Sequence, residues 1–151
     1  MKSKLVHLLF VFLALVLGAA LEDMLPSFGG VKFPVLLGLA AAAAASDDQA
    51  PVWVMTAVAA GAFEDALAGQ PALTAVVFFT AVALGVRLTR LPQAWTVVAY
   101  PAYQLWAGLL VTGSGGGVFG RFLVAFPVGA LTLAVVFGAF PYLRRKAGAD
   151  A

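Results

Sequence analysis

Two adjacent acids, Glu64 and Asp65, interrupt the apolar stretch AAGAFEDALAGQPAL, and their type and place give them the chain's best claim to chemistry. Ionisable side chains inside apolar spans generally face a bundle interior or water, where they serve ion paths, proton relays or partner contacts. Successive residues on a helix point about 100° apart, so the two acids cannot share one environment. Asp65 precedes Gly69 by four residues, about 6 Å of helix from the following turn and nearer an interface than a midplane. Two readings stand. Either both carboxylates reach water at the outer surface, or an acid beside the Gly-Gln-Pro turn docks a partner or orients a helix. A proton relay would need a second buried acidic or basic group at similar depth, and the sequence offers none.

No other pattern assembles a reacting set. The chain lacks cysteine, which excludes disulfides, thiolate metal sites and cysteine nucleophiles. Its single histidine, His7, has no partner in sequence and reads as interfacial. There is no Ser/His/Asp arrangement, metal-ligand cluster or pair of buried carboxylates, so the expectation is a non-enzyme without catalytic residue, metal or cofactor. Gly115, Gly117 and Gly120 fit G-x-G-x-x-G, but a dinucleotide fingerprint requires a strand before it and a helix after it. Here it joins two apolar helices and reads as a flexible loop. The run TVVAYPAYQLW puts Pro101 inside a helix, where its ring and missing N–H produce a kink. Tyr100, Tyr103, Gln104 and Trp106 around it form either a pocket wall or a belt of interfacial aromatics.

These residues are carried by six apolar stretches, approximately 5–21, 33–45, 52–67, 72–86, 94–112 and 122–143, joined by short polar pieces. Hydrophobic residues make up 63% of the 151 positions and charged ones 11%, against roughly 45–50% and about 25% in ordinary soluble domains. Mean hydropathy is +1.01. The expected fold is all-α: a polytopic membrane bundle of about six transmembrane segments forming one integral membrane domain over residues 1–151. Chemistry is then confined to the bilayer and its two faces, and a net charge of +2 gives no reason to expect nucleic acid.

Basic residues assign the faces. With six crossings, Lys2, Lys4, Arg87, Arg90, Arg144, Arg145 and Lys146 share the side of the termini, and Lys32 and Arg121 fall on the other. Seven against two places both termini in the cytoplasm, with Asp47 and Asp48 on the same side. The MKSK start, apolar middle and small-residue end of the first segment also resemble a secretory signal, but the six-span charge pattern favours its retention. The second segment has thirteen residues, whereas roughly 20 are needed to cross about 30 Å of hydrocarbon. It is expected to be short, tilted or partly inserted.

Small residues four apart mark packing faces: Ala14 and Gly18, Ala40 and Ala44, Ala57 and Gly61, and the row Ala130, Ala134, Gly138. Such faces let helix backbones approach closely in lipid. They suit a compact bundle or the docking of another protein's helix.

The segment GAFEDALAGQPALTAVVFFTAVALGVRLTR resembles part of the MreD family of rod shape-determining proteins, in which a Gly-containing helix carries an acid, a small-residue turn follows and the next span ends in basic residues. The ending FPVGALTLAVVFGAFPYLRRKAGADA is similar to the family's last span, with an early proline and a short basic tail. Gly61, Asp65, Gly69 and Pro127 match the pattern. Gln70-Pro71-Ala72-Leu73 lacks the glycine that often follows the turn, which is a departure from it. The resemblance implies a non-enzymatic scaffold of the elongasome (the rod complex). Its partner would be an MreC-like membrane protein. Through it the chain would connect indirectly to MreB filaments and to peptidoglycan synthesis by a SEDS glycosyltransferase and a class B penicillin-binding protein. The alternative is the substrate-binding component of an energy-coupling-factor vitamin transporter, also a small six-span bundle, with its ligand near the external face. The fifth-span aromatics and the GSGGG loop would then supply the pocket and its gate.

Overall fold

The computed structural model describes residues 2–46, 49–112 and 117–148. Six helices follow one another: α1 (Lys2–Met24), α2 (Val35–Ser46), α3 (Ala50–Ala68), α4 (Thr74–Thr89), α5 (Pro92–Thr112) and α6 (Val118–Lys146). Among the described residues there is no strand, only an isolated bridge between Phe28 and Val31. The helices match the six apolar stretches and run past them at most ends, because polar residues at a helix terminus still make intrahelical bonds. α1 thus continues through Glu22, Asp23 and Met24.

The linkers follow local chemistry. Pro51 occupies the first turn of α3, where its missing N–H costs nothing. Gly69 ends the same helix in the left-handed conformation, and its N–H donates to the Asp65 carbonyl. Gly29 and Gly30, both at positive φ, turn the chain so that Phe28 and Val31 exchange backbone hydrogen bonds of 2.8 and 3.0 Å.

α2 is the axis of the molecule. It has only 12 residues, about 18 Å of helix, and it touches all five others. Every side chain from Leu36 to Ala44 is buried. Its alanines allow neighbours to close in on all sides, and a helix surrounded by protein need not match a bilayer's thickness. Around it, α3 packs along α4 and α5 along α6. α1 contributes one face, Val11, Leu15, Gly18, Ala19 and Glu22, and exposes Leu5, Leu8, Leu9, Phe12, Leu13 and Leu17. A contiguous exposed apolar face of this kind marks a surface that meets a membrane or another protein. Two helical stretches, Lys4–Met24 and Val118–Lys146, are long and apolar enough to cross a membrane.

The small-residue rows divide. Gly18, Ala40, Ala44, Ala57 and Gly61 are buried at helix contacts, with Ala14 half-buried. The α6 row is different: Ala130 is half-buried, Ala134 and Gly138 are exposed, and nothing lies within 4 Å of a Cβ placed on Gly138. Its internal-packing reading is therefore corrected. The inward face of α6 is Ala125, Val128, Gly129, Leu133 and Phe140, one helical step round from the predicted row. At Gly129 a Cβ would stand 2.6 Å from the Tyr100 Cβ.

Candidate polar site at one end of the bundle

The acids of α3 diverge as adjacent helical residues must, but neither lies on the outer surface. Glu64 and Asp65 are each 8% exposed, which overturns the surface-water reading. Asp65 turns toward α4: its Oδ1 accepts the Ala75 N–H at 2.7 Å and its Oδ2 the Val76 N–H at 3.4 Å. These are unpaired donors of a helix start, and Leu73 at the N-cap supplies no side-chain bond. A carboxylate there also meets the favourable end of the helix dipole. Asp65 is a helix-orienting acid.

Gly61, one turn earlier on the same face of α3, makes that bond reachable. A Cβ on it would lie 2.5 Å from the Val76 Cα and 2.7 Å from its backbone N. The chain then enters α4 through Leu73 at φ +71°, a left-handed conformation that costs an L-residue roughly 1–2 kcal/mol. This is the turn where the sequence lacks the expected glycine. Gly69 is exposed with open space around it.

Glu64 turns the other way, toward α1 and α5. There it meets Glu22, which is 3% exposed and within hydrogen-bonding reach of the Glu64 carboxyl. Glu22 Oε2 also accepts the Leu36 N–H at 2.9 Å, joining α1 to the start of α2. A pair of buried carboxyls is present after all, and Glu22 is the acid at similar depth that the sequence did not reveal. Its signal was faint: in Leu-Glu-Asp-Met it sits beside Asp23, which is exposed.

α5 closes the site. Tyr103 is buried among Phe78, Phe79 and Tyr100, with ring centroids 5.3, 5.4 and 6.2 Å away. Its hydroxyl donates to Gln70 Oε1 at 2.9 Å and lies 3.3 Å from Glu64 Oε1. The Tyr100 hydroxyl donates to the Lys32 carbonyl, and Gln104 lies on the same wall. Trp106 Nε1 donates to the Thr74 carbonyl at 3.0 Å, holding α5 to the first turn of α4. These polar groups face a cavity of about 400 Å³ whose lining includes Lys32, Glu64, Gln70, Tyr103, Gln104 and Arg121. Tyr100, Tyr103 and Gln104 therefore form a pocket wall, while Trp106 stays outside the lining and is exposed.

The remaining candidates, apart from Gly117, lie away from the cavity lining. Pro127 is exposed on α6, away from the acids and the cavity lining. His7 is half-buried near the start of α1. Gly117 is the left-handed N-cap of α6 and Gly120 is exposed. Gly117 precedes α6 and lines the polar cavity, whereas Gly120 lies in the first turn of α6 and not in a loop; Gly115 falls outside the described residues, as do Asp47 and Asp48. Among the described residues no group of three or more His, Cys, Asp or Glu side chains converges for a metal.

The cationic side chains sort by end. Lys32 and Arg121 line the polar cavity. Arg87 and Arg90 line a hollow with Ala44, Ala45 and Pro92, at the other end of α2, where Arg144 donates to the Ser46 carbonyl at 3.1 Å.

No protein-family model, curated protein or solved structure matches this chain.

Proposed function

We propose that the chain is a multi-pass scaffold subunit of the bacterial cell-elongation machinery, of the MreD type, without enzymatic activity. The observation that carries this reading is the joint between α3 and α4. Three of the four residues through which the chain resembles that family, Gly61, Asp65 and Gly69, act together there to fix one helix against the next. A rigid joint inside an apolar body suits a subunit that presents helix faces to another membrane protein. The outward row Ala134 and Gly138 on α6 and the exposed leucines of α1 supply such faces. The proposed topology is six crossings with both termini cytoplasmic, and the sorting of cations to the two ends of the bundle supports it.

The test is copurification from native membranes in mild detergent. An MreC-like protein is the expected partner, and loss of the chain should round up rod-shaped cells. Recovery with transporter ATPases, together with normal cell shape, would refute the scaffold. The polar cavity beside Tyr100, Tyr103 and Gln104 favours that second reading, the substrate-binding component of an energy-coupling-factor transporter, because it offers a polar hollow at the end assigned to the external face.

A further inference from the structure

The polar cavity is ordered by depth. At its mouth stand two cations: Arg121 is exposed and Lys32 half-buried. The Arg121 Nε lies 3.8 Å from where a Cβ on Gly30 would stand, so its guanidinium reaches over the turn that leads to Lys32. The Lys32 Nζ lies 3.7 Å from the exposed Asp23 and is near enough to Glu22 to attract its carboxyl. The inner wall holds acceptors. Glu64 is buried there beside Glu22, and the Tyr103 hydroxyl stands on the same wall, 2.9 Å from Gln70 Oε1 and 3.3 Å from Glu64 Oε1. Among the described residues neither Glu22 nor Glu64 makes an ion pair.

This order selects a ligand by its charges. A simple anion would pass the cations and meet a buried carboxyl, and a simple cation would be repelled at the mouth. A molecule with an ammonium ahead of an anion satisfies both ends. It would bring to Glu64 the countercharge that a buried carboxylate otherwise lacks. The size of about 400 Å³ falls within the roughly 300–1,000 Å³ usual for small-molecule sites. We propose that this cavity binds a small zwitterion, with its ammonium at Glu64 and its anionic group between Lys32 and Arg121. Two sources carry that chemistry: a soluble amine-bearing phosphate or carboxylate, and the phosphoethanolamine headgroup of a membrane lipid. The site is independent of the scaffold reading, since neither its walls nor its mouth uses Gly61, Gly69 or Asp65.

The experiment is calorimetric titration of the full chain, in detergent free of ethanolamine lipid, with phosphoethanolamine, inorganic phosphate and ethylamine. Phosphoethanolamine should bind at least tenfold more tightly than either half. Arg121→Gln and Lys32→Gln, both at the mouth and outside the packed core, should each weaken it at least fivefold while leaving the melting temperature unchanged. Glu64→Gln should weaken it as well, and any folding defect in that variant leaves the two mouth variants to decide. Repeating the titration in nanodiscs distinguishes the sources: phosphatidylethanolamine blocks the soluble probe if the headgroup is the occupant, and phosphatidylglycerol does not. Equal binding of phosphoethanolamine and phosphate, no binding of the zwitterion, or unchanged affinity in both mouth variants would overturn the proposal.

Discussion

Gly61 and Asp65 act on the same peptide groups of α4: the missing side chain of one admits the Val76 backbone, and the carboxylate of the other accepts the Ala75 and Val76 N–H groups. The contact at Gly61 is with backbone, which cannot swing aside as a side-chain tip can. Gly61→Ala is therefore expected to cost about 2–3 kcal/mol, at the upper end of overpacking penalties. Thermal unfolding in mild detergent measures it, and an unchanged melting temperature would mean that α4 does not approach α3 this closely.

Asp65→Asn should be more damaging than Glu64→Gln, although each substitution removes one charge and nearly preserves volume. An amide at position 65 turns an N–H₂ toward a backbone N–H or gives up one of the two bonds, and hydrogen bonds to charged groups contribute about 1.5–3 kcal/mol. Glu64 holds no helix end. Membrane abundance and copurification of an MreC-like partner, compared for the two variants, check the order. Wild-type behaviour of Asp65→Asn in both assays contradicts it.

The turn between α3 and α4 predicts two substitutions of opposite sign. Leu73 is 62% exposed at φ +71°, so glycine there relieves strain at little loss of burial and should stabilise by about 0.5–1 kcal/mol. Gly69 has φ +61° with open space around it, so Gly69→Ala should cost about 1 kcal/mol through conformation alone. Denaturation midpoints of the pair measure both, and shifts of the same sign would contradict this account of the turn.

The topology is tested by reporter fusions after Ala151 and within the Gly29–Gly30 turn. The C-terminal reporter should be active in the cytoplasm and the turn reporter outside. An externally active C-terminal reporter, or mature protein lacking its first twenty residues, would rule out six spans with cytoplasmic ends.

The six helices were legible because their apolar runs are long and the breaks between them carry Gly, Pro and charge. The pocket wall was partly legible too, since Tyr100, Tyr103 and Gln104 are polar atoms in an otherwise apolar run. Which face turns inward was not. Gly129 and Ala130 are neighbours in an equally small-residue helix, and only the position of Tyr100 selects the former. Glu22 and Asp23 likewise have the same local sequence, but a rotation of about 100° buries one against α2 and α3 and leaves the other in the open. The strain at Leu73 was visible only as a missing glycine, because the left-handed residue is set by where α4 must start for Asp65 to reach it.

The alanine-rich axis also bears on biogenesis. On the six-span reading, α2 has 12 residues where a lone helix needs roughly 20 to hold a bilayer position. It is not a self-sufficient insertion unit. It should leave the translocon only as part of a hairpin with a neighbour, and α1 is the neighbour already synthesised, bound to it through the Glu22 contact with the Leu36 N–H. On that reading, the order in which the chain emerges would make the buried Glu22 carboxyl the latch for stable integration of the second segment.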